Sequence, residues 1–118
     1  MSQTEHREPD PAVLATFEKE PGGEAGEWRL RVVGEVDVAS SPTLRARISE
    51  MIDDGADRIV LDLSQMTFID SSGLGVLVGA LKRVRELDRK DLVLLGLQGP
   101  PRRVFEITGL TELFTIEA

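Results

Sequence analysis

The stretch IVLDLSQMTFIDSSGLGVLVG, residues 59–79, decides the fold. It opens on Ile59-Val60-Leu61-Asp62-Leu63, a short and nearly continuous apolar run of the kind a buried central strand carries. Residues 64–71 read as a loop rich in apolar groups, with Met66, Phe68 and Ile69. The period then changes to that of a helix from about Ser72 to Leu87, with Leu74, Leu77, Val78, Leu81 and Val84 turned inward.

Working outward, the same alternation of strand and helix continues on both sides. Ala12 to Glu18 and Trp28 to Val36 show period-2 alternation, with Trp28, Leu30 and Val32 on one face and Arg29, Arg31 and Val33 on the other. The turn signal Pro21-Gly22-Gly23 between them predicts an antiparallel hairpin. Ser40-Ser41-Pro42 predicts a helix start, a serine N-cap followed by proline at the first helical position. Leu44, Ile48, Met51 and Ile52 form its apolar face, and Gly55 ends it. Leu92 to Leu97 reads as a second buried strand. Pro100-Pro101 opens a third helix with Val104, Phe105 and Ile107, Gly109 stops it, and Phe114 to Ile116 reads as a final edge strand.

The order is ββαβαβαβ. It predicts an α/β fold: a mixed, mainly parallel sheet with an N-terminal β-hairpin and packed helices. Residues 1–11 are polar, hold Pro9 and Pro11, and read as a flexible tail; residues 12–118 read as a single domain. A chain of 118 residues has room for one modest core and excludes an enzyme with separate cofactor and substrate domains.

The composition removes further classes. There is no cysteine, so disulfides, thiol chemistry and Cys-based metal sites are excluded. The only histidine is His6, in the polar N-terminal stretch, which leaves a Ser-His-Asp triad without a placed base. No metal site and no cofactor are expected. No apolar run is long enough for a membrane span, and MSQTEHREPDP lacks a signal peptide's apolar core, so the expectation is a cytoplasmic protein without membrane association. The formal charge of −7 argues against direct nucleic-acid binding. That charge is uneven. Residues 1–27 hold 7 acidic and 2 basic side chains, residues 35–70 hold 8 and 3, and residues 82–103 hold 3 and 7. The asymmetry suits an oriented protein partner, and it suits plain solubility as well.

Loops at the carboxyl ends of parallel strands build the sites of such folds. Two segments fall there: Gly34-Glu35-Val36-Asp37, and Asp70-Ser71-Ser72-Gly73-Leu74-Gly75. Gly73 and Gly75 lie in the first turns of a helix, where each costs about 1 kcal/mol relative to alanine. They are explained if something approaches the backbone closely, or if they permit tight helix–sheet packing while a serine caps the helix. Gly73-x-Gly75-x-x-x-Gly79 is superficially like a dinucleotide fingerprint, but its spacing is one residue too long and Asp91 would begin the next strand instead of ending it. A nucleophile elbow is absent because Asp70 and Ser71 precede Ser72, and no P-loop lysine occurs. No carboxylate pair is placed for acid/base work, so an enzyme is not expected. What remains is a serine hydroxyl at a helix N-terminus, a good place for a phosphate and thus a candidate kinase substrate.

The combination of Gly34-Glu35-Val36-Asp37, Val60-Leu61-Asp62-Leu63 and Phe68-Ile69-Asp70-Ser71-Ser72-Gly73-Leu74-Gly75 resembles the STAS-domain anti-sigma factor antagonists (anti-anti-sigma factors) of bacteria. Gly99-Pro100-Pro101 through Val104-Phe105, with Thr108-Gly109-Leu110, is similar to that family's third-helix segment, and the likeness covers roughly residues 12–116. The resemblance implies the STAS fold and a partner-switching role in transcription regulation, of the kind that serves stress response and sporulation. The unphosphorylated protein would bind an anti-sigma factor that is also a GHKL-type serine kinase, freeing the sigma factor. Phosphorylation at Ser71, with Ser72 as the alternative and otherwise the N-cap, would end binding, and a PP2C-type phosphatase would restore it. Asp37 matches the acidic residue beside the phosphoserine position. Asp37, Asp70, Ser71, Ser72, Gly73 and Gly75 are the implied partner-binding residues, although an aspartate after a strand also commonly forms an Asx-turn. The free protein is expected to be a monomer. The alternative reading is a non-catalytic STAS module for ligand sensing or assembly with other STAS proteins.

Overall fold

The computed structural model describes residues 15–89 and 91–118. Five strands and three helices follow in chain order: β1 (Ala15–Pro21), β2 (Glu27–Val36), α1 (Ser41–Asp53), β3 (Arg58–Ile69), α2 (Ser71–Glu86), β4 (Asp91–Leu95), α3 (Gly99–Thr108), a short 3-10 turn (Leu110–Glu112) and β5 (Thr115–Glu117). The strands lie side by side in the order of the chain, with β1 antiparallel to β2 and the other three pairings parallel. This is the mixed, mainly parallel sheet with an N-terminal hairpin that the pattern predicts. The expected tail, and the expected first residues of β1 at positions 12–14, fall outside the described residues.

Right-handed crossovers taken in one direction across a sheet carry their helices to one face. The core accordingly forms a single cluster in which Leu30, Leu61 and Leu94 from neighbouring strands meet Leu44 and Ile48 of α1, Leu77 and Leu81 of α2, and Phe105 of α3. Phe114, just before β5, closes one side and meets Phe105 edge-on at 5.9 Å between ring centroids. On the outer face Arg31 pairs with Glu18 and Glu20 of β1.

Several sequence expectations shift. Residues 64–69 are strand and not loop: β3 runs on to Ile69. The register explains the misreading. Between Asp62 and Gln65 β3 spans one residue more than β2 does between Arg31 and Val33, and it gains another between Met66 and Phe68 against Gly34 and Glu35. Two bulges therefore turn the inward repeat Leu63, Met66, Ile69 from two residues to three, which does not read as a strand. β1 extends to Pro21, which an edge strand tolerates. Helix α1 has Ser40 as its N-cap, not Ser41, and no side-chain cap bond; the Ser40 hydroxyl instead donates to the Glu35 carbonyl. Helix α2 is rolled relative to the expected phase. Val76 and Ala80 are buried, whereas Leu74 and Val78 are only half-buried at the edge of the cluster.

Leu77 is 1% exposed at the centre of the α2 face. Leu77→Ala should lower unfolding free energy by about 2–5 kcal/mol in a denaturant melt, the usual range for a buried leucine. A change near zero would contradict the packing of α2.

Candidate functional site

Strands β2 and β3 are parallel and end together, with Val36 opposite Ile69. The next residue of each chain segment is an aspartate. The Asp70 amide donates to the Val36 carbonyl at 3.2 Å, which ties the two strand ends into one edge and brings the Asp37 and Asp70 turns side by side. Both sequence-predicted segments therefore converge, as expected for the carboxyl edge of a parallel sheet.

Asp70 is the N-cap of α2, a place the sequence reading gave to Ser72. Its Oδ1 accepts from the Ser72 amide at 2.9 Å and from the Gly73 amide at 3.3 Å, and it also accepts the Ser72 hydroxyl. The hydroxyl bond to Ser72, joined by the two backbone amides and opposed by desolvation, holds the Asp70 carboxyl below the usual carboxylate range. Ser72 is half-buried with its hydroxyl committed. Ser71, the first residue of the helix, is exposed, and among the described residues its hydroxyl has no hydrogen-bond partner. The two adjacent serines are thus chemically unlike. One is a bonded part of the cap and the other is a free hydroxyl facing solvent.

The glycines divide in the same way. A Cβ on Gly73 would stand 2.7 Å from Val36 Cγ1 and 2.8 Å from Ile69 Cγ1, so Gly73 is a packing residue that lets the first turn of α2 rest on the strand ends. A Cβ on Gly75 or on Gly79 would meet nothing within 4 Å, so intramolecular packing does not account for either.

Asp37 spends one carboxylate oxygen on its own turn. Its Oδ1 accepts from the Ala39 amide at 3.0 Å, the Ser40 amide at 3.1 Å and the Ser40 hydroxyl at 3.3 Å, an Asx-type arrangement. Among the described residues Oδ2 has no partner. Val38, at the tip of this turn, is 75% exposed, and Phe68 on β3 is 45% exposed. Sequence reasoning did not single out Val38 as a site residue. The available signal was a lone valine between an aspartate and an alanine in a turn, where burial is not expected. Among the described residues no group of His, Asp or Glu side chains could hold a metal ion, and no helix is long and apolar enough to cross a membrane.

With this geometry in view, the comparisons with known proteins are specific. The STAS domain family model matches residues 25–118. An anti-sigma-B factor antagonist of Staphylococcus aureus is 38% identical over 89 residues, 75% of this chain and 82% of its own length. Among solved structures, an anti-sigma factor antagonist from Mycobacterium paratuberculosis aligns with a TM-score of 0.78 and 27% identity, covering 92% of this chain and 88% of that one. The Bacillus cell fate determinant SpoIIAA in its phosphorylated form aligns with a TM-score of 0.68 and 28% identity, covering 87% and 91%.

The cap carries a pH signature. A carboxyl whose pKa is lower folded than unfolded contributes stability in full above its unfolded value, about 4, and loses it as pH falls through the lower folded value. Asp70→Ala should cost about 1 kcal/mol near neutral pH, a typical N-cap loss. In chemical melts across pH the gap from wild type should narrow as pH falls below about 4. A gap that stays constant down to the acid limit would show that the charged cap contributes nothing.

Proposed function

This chain belongs to the STAS domain family of anti-sigma factor antagonists, and from that premise we propose that it is a phosphorylation-controlled partner switch. Its partner is an anti-sigma factor that is also a GHKL-type serine kinase. The unphosphorylated chain binds that kinase and so frees the sigma factor. The kinase transfers a phosphate to Ser71, the complex parts, and a PP2C-type phosphatase resets the protein. In this reading the chain is a regulatory binding protein and no enzyme, works in the cytoplasm, and is a monomer when free.

The free, exposed hydroxyl of Ser71 beside the committed hydroxyl of Ser72 carries the proposal. A phosphoryl acceptor must reach another protein's active site, and only Ser71 can do so without dismantling the cap of α2. Asp37 and Asp70 flank it and offer the kinase two carboxylates for orientation. Asp37 does so through Oδ2, with Oδ1 retained by its turn. Ser72 and Gly73 serve the interface indirectly, by fixing the first turn that presents Ser71.

The added charge also finds little comfort in the free protein. A helix N-terminus favours a phosphate through its unbonded amides, but the Asp70 carboxylate already takes those of Ser72 and Gly73. A phosphate on Ser71 therefore stands outward beside Asp70 with about −1.5 to −2 charges. It leaves the fold intact and places repulsion, desolvation and bulk on any docked complex.

Titration of the cognate anti-sigma kinase with unmodified, Ser71-phosphorylated and Ser71→Ala protein tests this. The unmodified and Ser71→Ala forms should bind alike, and the phosphoprotein more weakly by about two to four decades, roughly 3–5 kcal/mol. Equal affinity of all three forms would refute the switch.

A further inference from the structure

Helices α1 and α2 follow two parallel strands, so both begin at the edge that carries Ser71 and run away from it side by side. Between them lies a groove of about 330 Å³. Its floor is apolar, formed by Ile48 and Ile52 of α1 and by Val76 of α2. Its lip on the α2 side is Gly75 and Gly79. Ser71, Gly75 and Gly79 are spaced four residues apart and so line one face of the helix.

The groove is open because those two glycines have no side chains. Neither has a left-handed φ, and a Cβ on either would stand in empty space. Within the chain they only weaken the helix. Two further features point outward. Val38 is exposed in the turn that precedes α1, beside the Asp37 carboxylate. Arg45 lies on the groove, and among the described residues it makes no ion pair or hydrogen bond. The neighbouring arginines differ: Arg47 pairs with Glu50, and Arg83, on the opposite rim, pairs with Asp53. An exposed cation with no partner in the chain, beside an apolar floor, is available to a carboxylate from a partner and is complementary to one.

We propose that this groove is the second half of the docking surface, continuous with Ser71, and that it receives an apolar side chain of the anti-sigma factor lying close on the α2 backbone, with a carboxylate of the same partner facing Arg45. This inference rests on the partner-switch reading and assigns it a contact that phosphorylation does not touch. The bare backbone at Gly75 and Gly79 is then kept for the partner's approach, at a cost to the helix that the free chain does not recover.

The test sets stability against binding. Gly75→Ala/Gly79→Ala and, separately, Arg45→Glu are compared with wild type in thermal melts and in titrations with the purified cognate anti-sigma factor, all unphosphorylated. The double alanine variant should melt at the same temperature or higher and bind at least tenfold more weakly. Arg45→Glu should melt as wild type and also bind at least tenfold more weakly. Wild-type affinity in both variants would overturn the groove while leaving the switch at Ser71 standing. Failure of the wild-type chain itself to bind would overturn the partner-switch reading, and the groove with it.

Discussion

The close approach of Gly73 to the ends of β2 and β3 is the contact on which the site depends. With no side chain at that position, the first turn of α2 settles onto Val36 and Ile69, and the Asp70 amide reaches the Val36 carbonyl. Any Cβ there would press on two branched side chains that are themselves packed into the core. Because the helix starts at that height above the sheet, Asp70 lies where its carboxylate can cap the turn, and Ser71 is pushed to the outside. A packing constraint in the core thereby selects which serine is offered to solvent.

The electrostatics follow from that placement. Asp70 is simultaneously the cap of a helix and the immediate neighbour of the Ser71 hydroxyl, the acceptor in the proposed switch. Its negative charge is stabilising toward the helix and repulsive toward a second negative charge at Ser71. The unmodified state is therefore comfortable on its own, whereas a phosphate on Ser71, as proposed, would crowd an acidic edge with Asp37 across the strand boundary. On the proposed switch most of the energetic consequence would fall on complexes and little on the fold, which is the division a reversible regulator needs.

Much of this was legible in the sequence, and the exceptions have physical causes. The strand and helix order, the hairpin and the convergence of the Asp37 and Asp70 segments follow from periodicity and from the geometry of parallel sheets. The second half of β3 did not read as strand because two bulges replaced its period of two by three at Leu63, Met66 and Ile69. The cap of α2 was ambiguous because Asp70, Ser71 and Ser72 are all good capping residues in a row, and only the backbone shows which carboxylate or hydroxyl meets the amides. The glycines looked equivalent as letters. Gly73 proves to be fixed by Val36 and Ile69, whereas Gly75 has open ground above it, a distinction that depends on what packs nearby and not on local sequence. Val38 carried no signal beyond its apolar character in a turn.

The central claim is that the fold, by bonding one serine and freeing its neighbour, determines which hydroxyl is the switch. The direct measurement is to incubate wild type, Ser71→Ala and Ser72→Ala with the cognate anti-sigma kinase and ATP, and to map the phosphate by mass spectrometry. Phosphate on Ser71 in wild type and in Ser72→Ala, with none incorporated in Ser71→Ala, is the expected result. Phosphate on Ser72 in wild type, retained in Ser71→Ala, would contradict it.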